Sequence, residues 1–437
     1  MADPDESDMD LNVPMEMENG HITQSSEENS DADVETSDEY EQLMNATGEY
    51  DRDLPTSHGY LGTLNPLSGY TIFEDGAVLH IIAIYTSTLV FPGFTLPLVM
   101  SNHYENRVMQ TFINENNKVF VLLCANSGYN GLFEFGITME IFETSIKNNV
   151  LHIKAKGRQR CKRLPMSNVE NVAGRIKLVN VKILAEPPIV PPLSDTQLLT
   201  LKGRRQWKLN DFNDLKKIHK YRRYHLAQYP NPGWIYDHNE VSFFMNTLRE
   251  GLKSYGDEYI PSDPEKFSYW FVQNYQLSVM ERLRILELKT TLERLKLECI
   301  YLKLERKMCC NICESEITDP DKVFAMSKDG WVGNYVNPGG QVYETVTVLE
   351  ARNFNLVGTA SRNFSWFPGY SWTIMQCSSC NNHLGWKFGS NNLTPREFYG
   401  LAKSGFKVVI PEKPRPPDLE ELQSARITYA FDYIGLY

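Results

Sequence analysis

Cys310-Asn311-Ile312-Cys313 and Cys377-Ser378-Ser379-Cys380 enclose 63 residues, and near the end of that span stands Ser365-Trp366-Phe367-Pro368-Gly369-Tyr370-Ser371-Trp372. The x-x spacing lets both sulfurs of a pair reach one ion, and four thiolates satisfy the tetrahedral geometry of a closed structural zinc site. One zinc held by Cys310, Cys313, Cys377 and Cys380 is therefore expected. Redox chemistry is the other use of a Cys-x-x-Cys pair, but two pairs at this separation are what one four-coordinate ion requires. With every position taken by thiolate, none is left to activate water, so zinc hydrolysis is not expected.

Trp366, Trp372 and Trp386 fall within 21 residues, and Phe388 follows two places after the last of them. Residues two apart share one face of a strand. Tryptophans in a small domain often simply fill its core. Three of them around a Pro-Gly turn exceed what so small a core needs, so an aromatic box is expected. Such a box holds a cation by cation–π attraction or a flat neutral ring by apolar enclosure. A methylammonium site would add a carboxylate, yet residues 361–389 contain no Asp or Glu. A neutral, planar ligand held partly by backbone hydrogen bonds suits these residues better.

The whole chain has 437 residues, enough for two or three domains, and a formal charge of -11. Residues 1–51 hold 17 Asp/Glu and no Lys or Arg, which leaves 44 basic against 38 acidic groups in the remaining 386. That acidic stretch is poor in aliphatics and cannot bury enough apolar surface to offset its ordering entropy, so residues 1–53 read as a disordered tail. No basic and apolar signal segment opens the sequence, and Cys124, Cys161, Cys299 and Cys309 read as free thiols in a reducing cytosolic or nuclear setting. Residues 76–100 carry no charge and are long enough to span a bilayer. Pro92-Gly93 and Pro97 interrupt them, and the β-branched first half favours two buried strands joined by a turn.

Order is expected from Leu54. Val78 to Tyr85, Val119 to Cys124, Phe133 to Phe142, Val150 to Lys156 and Ile176 to Ile183 read as strands of a largely antiparallel sheet domain, residues 54–187. Pro187-Pro188-Ile189-Val190-Pro191-Pro192 ends it, and residues 188–308 read as helices separated by Pro/Gly turns. The clearest helix begins near Leu277. Leu288, Leu292, Leu295, Cys299 and Leu302 form its apolar stripe, flanked by Glu293, Lys296, Glu298 and Lys303. A basic cluster, Lys216, Lys217, His219, Lys220, Arg222 and Arg223 with Tyr221 and Tyr224, reads as a solvated helix face or a surface for an acidic partner. No nucleic-acid motif accompanies it, so nucleic acid is not expected as a partner. Residues 309–410 return to strands, including Tyr343 to Val348 and Trp372 to Met375, and residues 411–437 read as an extension. No G-x-x-x-x-G-K-[ST] loop is present for nucleotide hydrolysis. Cys309 as a nucleophile with His383 as its base is a weaker reading than a spectator thiol and a packed histidine.

Leu54-Pro55-Thr56-Ser57-His58, Pro92-Gly93-Phe94-Thr95-Leu96-Pro97-Leu98, Gly157-Arg158-Gln159-Arg160, Tyr335-Val336-Asn337-Pro338, Ser365 to Tyr370 and His383-Leu384-Gly385-Trp386-Lys387-Phe388 together resemble the cereblon family, substrate receptors of cullin-4 RING ubiquitin ligases. The resemblance runs from about Leu54 to Phe406. It implies an α+β chain: a Lon N-terminal-like β domain with an inserted helical bundle, followed by an all-β, β-tent-like zinc-binding domain that takes thalidomide-type drugs. It also implies that a cyclic imide of the glutarimide type lies between Trp366, Trp372 and Trp386, with Phe388 as the floor and Asn337 and Pro338 on a neighbouring loop. Backbone near Phe364 and Trp366 would meet the imide, and Tyr370 belongs to the same motif. Better-known members carry histidine where Phe364, Gly339 and Tyr343 stand, which bears on drug-induced recruitment of neosubstrates more than on imide binding.

The implied role is non-catalytic. The bundle docks on the ligase's β-propeller adaptor, and through it on cullin-4 and the RING subunit, while protein substrates are presented for ubiquitination and proteasomal degradation in the cytoplasm and nucleus. The zinc domain is also similar to methionine sulfoxide reductases of the B type. Those need a nucleophilic cysteine beyond the metal ligands, and no cysteine follows Cys380. Lon-type proteolysis fails likewise, for want of an ATPase or Ser-Lys protease region.

Overall fold

The computed structural model describes residues 47–125, 132–164, 170–190, 239–253 and 260–411. The acidic tail before residue 47, the basic cluster at 216–224 and the extension from 412 onward lie outside the described residues. The fold is α+β.

The β-branched runs form strands Val78–Thr86, Thr95–Met100, Val119–Ala125, Leu132–Lys147, Val150–Arg163 and Ile176–Ile183. Leu132–Lys147 pairs with both Val119–Ala125 and Val150–Arg163, and the latter also pairs with Ile176–Ile183, so the sheet closes on itself as a barrel. Closure leaves five of these strands no free edge, while among the described residues Thr95–Met100 pairs on one side with Val150–Arg163 and ends the sheet. Pairing is antiparallel as expected, save that Val78–Thr86 runs parallel to Val119–Ala125. The uncharged run at 76–100 gives two strands, but they pair with different partners instead of with each other. No helix of the described residues is long and apolar enough to cross a membrane.

The helix expected from Leu277 is two helices, Val279–Glu287 and Thr291–Leu302. Each begins with a capping box, Ser278 with Glu281 and Thr290 with Glu293, and the second box stops the first helix at Leu288. The apolar stripe continues across the break, which is why periodicity alone misses it. Glu298, expected on the wet flank, is fully buried. It accepts a hydrogen bond from Ser268 Oγ at 2.6 Å, while Arg294 is drawn to Glu186 at 2.6 Å. Burial pushes the Glu298 carboxyl up to about 8. A raised carboxyl contributes stability that is complete below the unfolded pKa, about 4.3, and is lost as pH rises through the folded value. Glu298→Gln is therefore expected to flatten the decline in stability between pH ~4.3 and ~8, read by urea titration at several pH values. A slope equal to the parent's would contradict the assignment.

Beyond Lys307 the chain forms a second β unit. Its main sheet has the strand order Val332–Val336, Val342–Val348, Glu397–Ala402, His383–Gly389, Ser371–Cys377, Phe354–Ser361, and a smaller sheet joins Lys307–Cys310 to Glu316–Thr318 and Phe406–Val409. The two halves share buried polar contacts. Asn274 Oδ1 accepts from the Val332 amide at 3.0 Å, and Arg282 meets Glu344 at 2.8 Å. Pairing starts earlier than Leu54: Gly48–Glu49 lies parallel to Leu393–Thr394, and Tyr50 packs edge-on against Tyr370 at 5.3 Å.

Candidate metal centre and aromatic pocket

The two cysteine pairs sit in turns of the same construction. The Cys310 amide donates to Ser315 O and its carbonyl accepts from Glu314 N; the Cys377 amide donates to Asn382 O and its carbonyl accepts from Asn381 N. Glu314 and Asn381 hold φ at 61° and 58°, the left-handed step that closes each turn. The four sulfurs lie within 4.8 Å of one another. Cys310 Sγ is 3.6 Å from Cys380 Sγ, and Cys313 Sγ is 3.4 Å from Cys377 Sγ.

A hydrogen bond from Ser315 is the main cause that lowers the Cys313 thiol to about 6. The Asn382 amide would lower Cys380 as well, but burial and the three crowding sulfurs push it up to about 12. Four thiolates this close cannot all ionise without a cation among them. The donor set thus fits one structural zinc ion, with no open position.

Cys309, next to the first pair, is buried and faces away in the Lys307–Cys310 strand, where burial raises its thiol. No hydrogen bond links it to His383 among the described residues. The nucleophile reading has no geometric support.

Trp366 anchors the aromatic site. It is buried, stacks on Tyr335 at 5.1 Å and donates from Nε1 to Val336 O at 3.3 Å. Trp386 meets it edge-on at 4.6 Å, and Tyr343 packs against Trp386 at 4.9 Å and Trp366 at 5.9 Å. His383 lies 4.8 Å from Trp386, and burial lowers its pKa, so it is neutral near pH 7. Gly385 makes this strand possible. Its φ is 142°, and a Cβ there would stand 2.0 Å from Gly400 O, so only glycine lets the strand bring Trp386 to the wall.

Trp372 is half-buried one strand over. Its cross-strand partner is Phe388, while Ile374 pairs with Trp386, which puts Trp372 on the Trp386 face, and its Nε1 donates to Asn363 O at 2.8 Å. Asn337 and Pro338 directly follow Val336, in a tight loop where the Gln341 amide donates to Asn337 Oδ1 at 2.8 Å. Phe364 is 57% exposed with φ at 54°.

Phe388, expected as the floor, lies on the Trp386 face of its strand, beneath the surface, while Tyr370 stands off the wall. Phe388 is buried between Phe367 and Phe398, and Tyr370 is fully buried with its hydroxyl donating to Pro395 O at 2.7 Å. Tyr335, known from the sequence only as part of a family motif, and Tyr343, known only as a strand position bearing on recruitment, also stand at this wall. They are cross-strand partners, and only the register of that pairing brings both onto Trp366.

The substrate-binding domain of ATP-dependent protease La (LON) matches residues 78–303, and the family described as "Yippee zinc-binding/DNA-binding /Mis18, centromere assembly" matches residues 307–415. Proteins called protein cereblon are similar over most of their length. That of Gallus gallus is 31% identical, covering 83% of this chain and 86% of the relative. That of Danio rerio is 31% identical over 88% of this chain and 94% of the relative, and that of Xenopus tropicalis 30% over 90% and 92%. A Lon-type barrel, a four-thiolate zinc unit and this similarity across both halves lead to one conclusion: the chain belongs to the cereblon family.

Proposed function

We propose that this chain is the substrate receptor of a cullin-4 RING ubiquitin ligase and that its aromatic pocket takes a cyclic imide, either a C-terminal imide on a client protein or a glutarimide-type drug. The observation that carries the reading is the uncharged wall of Trp366 and Trp386, extended by Tyr343 with Trp372 on the same face. A flat, neutral ring can be enclosed there without a carboxylate or an ammonium to discharge. Phe364 and Asn337–Pro338 border this wall, Phe388 is its floor on the Trp386 face, and Tyr370 supports it from beneath. The chain acts without catalysis of its own, in cytoplasm and nucleus, and reaches cullin-4 and the RING subunit through the β-propeller adaptor.

Alanine at Trp386 is expected to lower glutarimide affinity at least about thirtyfold with zinc retained, since truncating a central aromatic anchor commonly costs about 2 kcal/mol or more. Calorimetry beside metal analysis reads this, and unchanged affinity would refute the pocket. Affinity purification from cells with and without an imide should recover the β-propeller adaptor in both samples and new client proteins in one. Absence of the adaptor from both would overturn the ligase assignment.

A further inference from the structure

The two edges of the zinc-bearing sheet are treated in opposite ways. Val332–Val336 is covered: Val336 N donates to Tyr60 Oη at 3.1 Å, and Asn334 reaches Thr95 O. Phe354–Ser361 is bare. Among the described residues it ends the sheet and pairs only with Ser371–Cys377, and residues 355–360 are all exposed. It contains neither charge nor proline, the usual guards of an open edge. A bulge after Val357, where Gly358 holds φ at 81°, bends its far part and leaves Phe354 to Val357 as the regular run.

This edge is continuous with the pocket. Val357 pairs with Ile374, which pairs with Trp386, so three cross-strand neighbours on one face lead from the pocket wall to the rim. Val357 is 41% exposed there, and Leu356 is 47% exposed on the opposite face. The strand's other end, Ser361, is opposite Trp372. From Trp386 to Val357 is two strand spacings, roughly 10 Å, which about three extended residues span.

We propose that the outer edge of Phe354–Ser361 takes an extended, uncharged segment of a client protein by β-strand addition, the segment lying upstream of the imide end seated in the pocket. The proposal rests on the imide-pocket reading. Main-chain hydrogen bonds supply the hold, and the exposed Leu356 and Val357 favour β-branched and apolar client side chains. A regular run of four residues is too short to join two free molecules, because it buries far less than the ~1,200 Å² of a stable interface. For a client already tethered at the pocket the second contact is intramolecular, and a short ladder then suffices. This argues for a client in place of a second copy of the chain.

The test uses the full chain and two probes measured by fluorescence anisotropy: a dipeptide and a Thr/Val-rich decapeptide, both ending in the same cyclic imide. The decapeptide is expected to bind about tenfold more tightly, the equivalent of one or two ladder hydrogen bonds. Methylating alternate backbone amides of the probe, or the double substitution Leu356→Lys with Val357→Lys, should remove the gain and leave dipeptide affinity unchanged. Equal affinities of the two probes, or a gain that survives N-methylation, would overturn strand addition while leaving the pocket intact. If neither probe binds, the pocket reading itself falls and the client with it. Dimerisation abolished by the same double substitution, without any effect of probe length, would overturn the client in favour of a second copy.

Discussion

Cys377→Ser combined with Cys310→Ser is expected to unfold residues 307–411 while the barrel keeps its strands. The two sulfurs come from different sheets: Cys310 closes the strand that pairs with Phe406–Val409, and Cys377 closes the strand between Phe354–Ser361 and His383–Gly389. The metal is thus the joint between the small sheet and the large one. Without it, two buried cysteines and the amides of both turns face each other with no charge to organise them. Structural zinc contributes roughly 10–16 kcal/mol in small metal-dependent folds, as much as the roughly 5–15 kcal/mol that is the whole stability of a typical domain. Hydrogen exchange should show 371–389 losing protection while 176–183 retains it, and the near-ultraviolet signal of Trp366, Trp372 and Trp386 should collapse. Chelation of the parent protein should reproduce the result. A double variant with native tryptophan spectra would mean that the sheets hold each other without the ion.

Much of this molecule was legible because its signals are local. Each β-branched run became a strand, three of them within one residue of the expected bounds, since two-residue alternation and flanking turn residues act over short distances; Leu132–Lys147 and Val150–Arg163 run five and seven residues past the expected ends. The cysteine ligands were legible from spacing alone, as the geometry of one ion dictates it. What escaped was long-range. Glu298 read as a flanking surface residue because charge normally means water; its burial depends on Ser268, 30 residues away, just as that of Glu344 depends on Arg282 and Lys403, 62 and 59 residues away. Tyr370 read as pocket lining because an aromatic letter does not reveal how deep its side chain lies. The break at Leu288 escaped because two helices shared one stripe, although Thr290 and Glu293 had the capping-box spacing that marks it.

Glu344→Ala is expected to cost about 3–5 kcal/mol, the range for removing one partner of a buried ion pair. Glu344 is buried and meets Arg282 Nη1 at 2.8 Å, Lys403 Nζ at 2.9 Å and Gln273 Nε2 at 3.1 Å. Burial alone would raise its carboxyl, but the two cations hold it below the ordinary range. Alanine would leave both cations unpaired in the interior, at the junction of the helical half and the zinc-bearing half. Glu344→Gln should cost less, because the amide oxygen still accepts from Arg282. Replacing all three charged groups with Leu and Met of similar volume should recover most of the loss, since the penalty belongs to the stranded charges. The pH dependence provides an internal check. Burial brings Lys403 down to about 8, so its folded pKa lies below the unfolded value of about 10.4. Such a group opposes folding at neutral pH, and the opposition fades as pH rises from the folded value toward the unfolded one. Without Glu344, Lys403 should fall further, and the recovery of stability should begin at lower pH than in the parent. Denaturant titrations across pH 6–10 would read both effects, and a cost below 1 kcal/mol with an unchanged profile would show that water reaches this cluster. The same strand presents its preceding residue, Tyr343, to Trp366 and Trp386 on its other face. Loosening the charge cluster should therefore also weaken imide binding, which makes this strand the physical link between the joint of the two halves and the pocket.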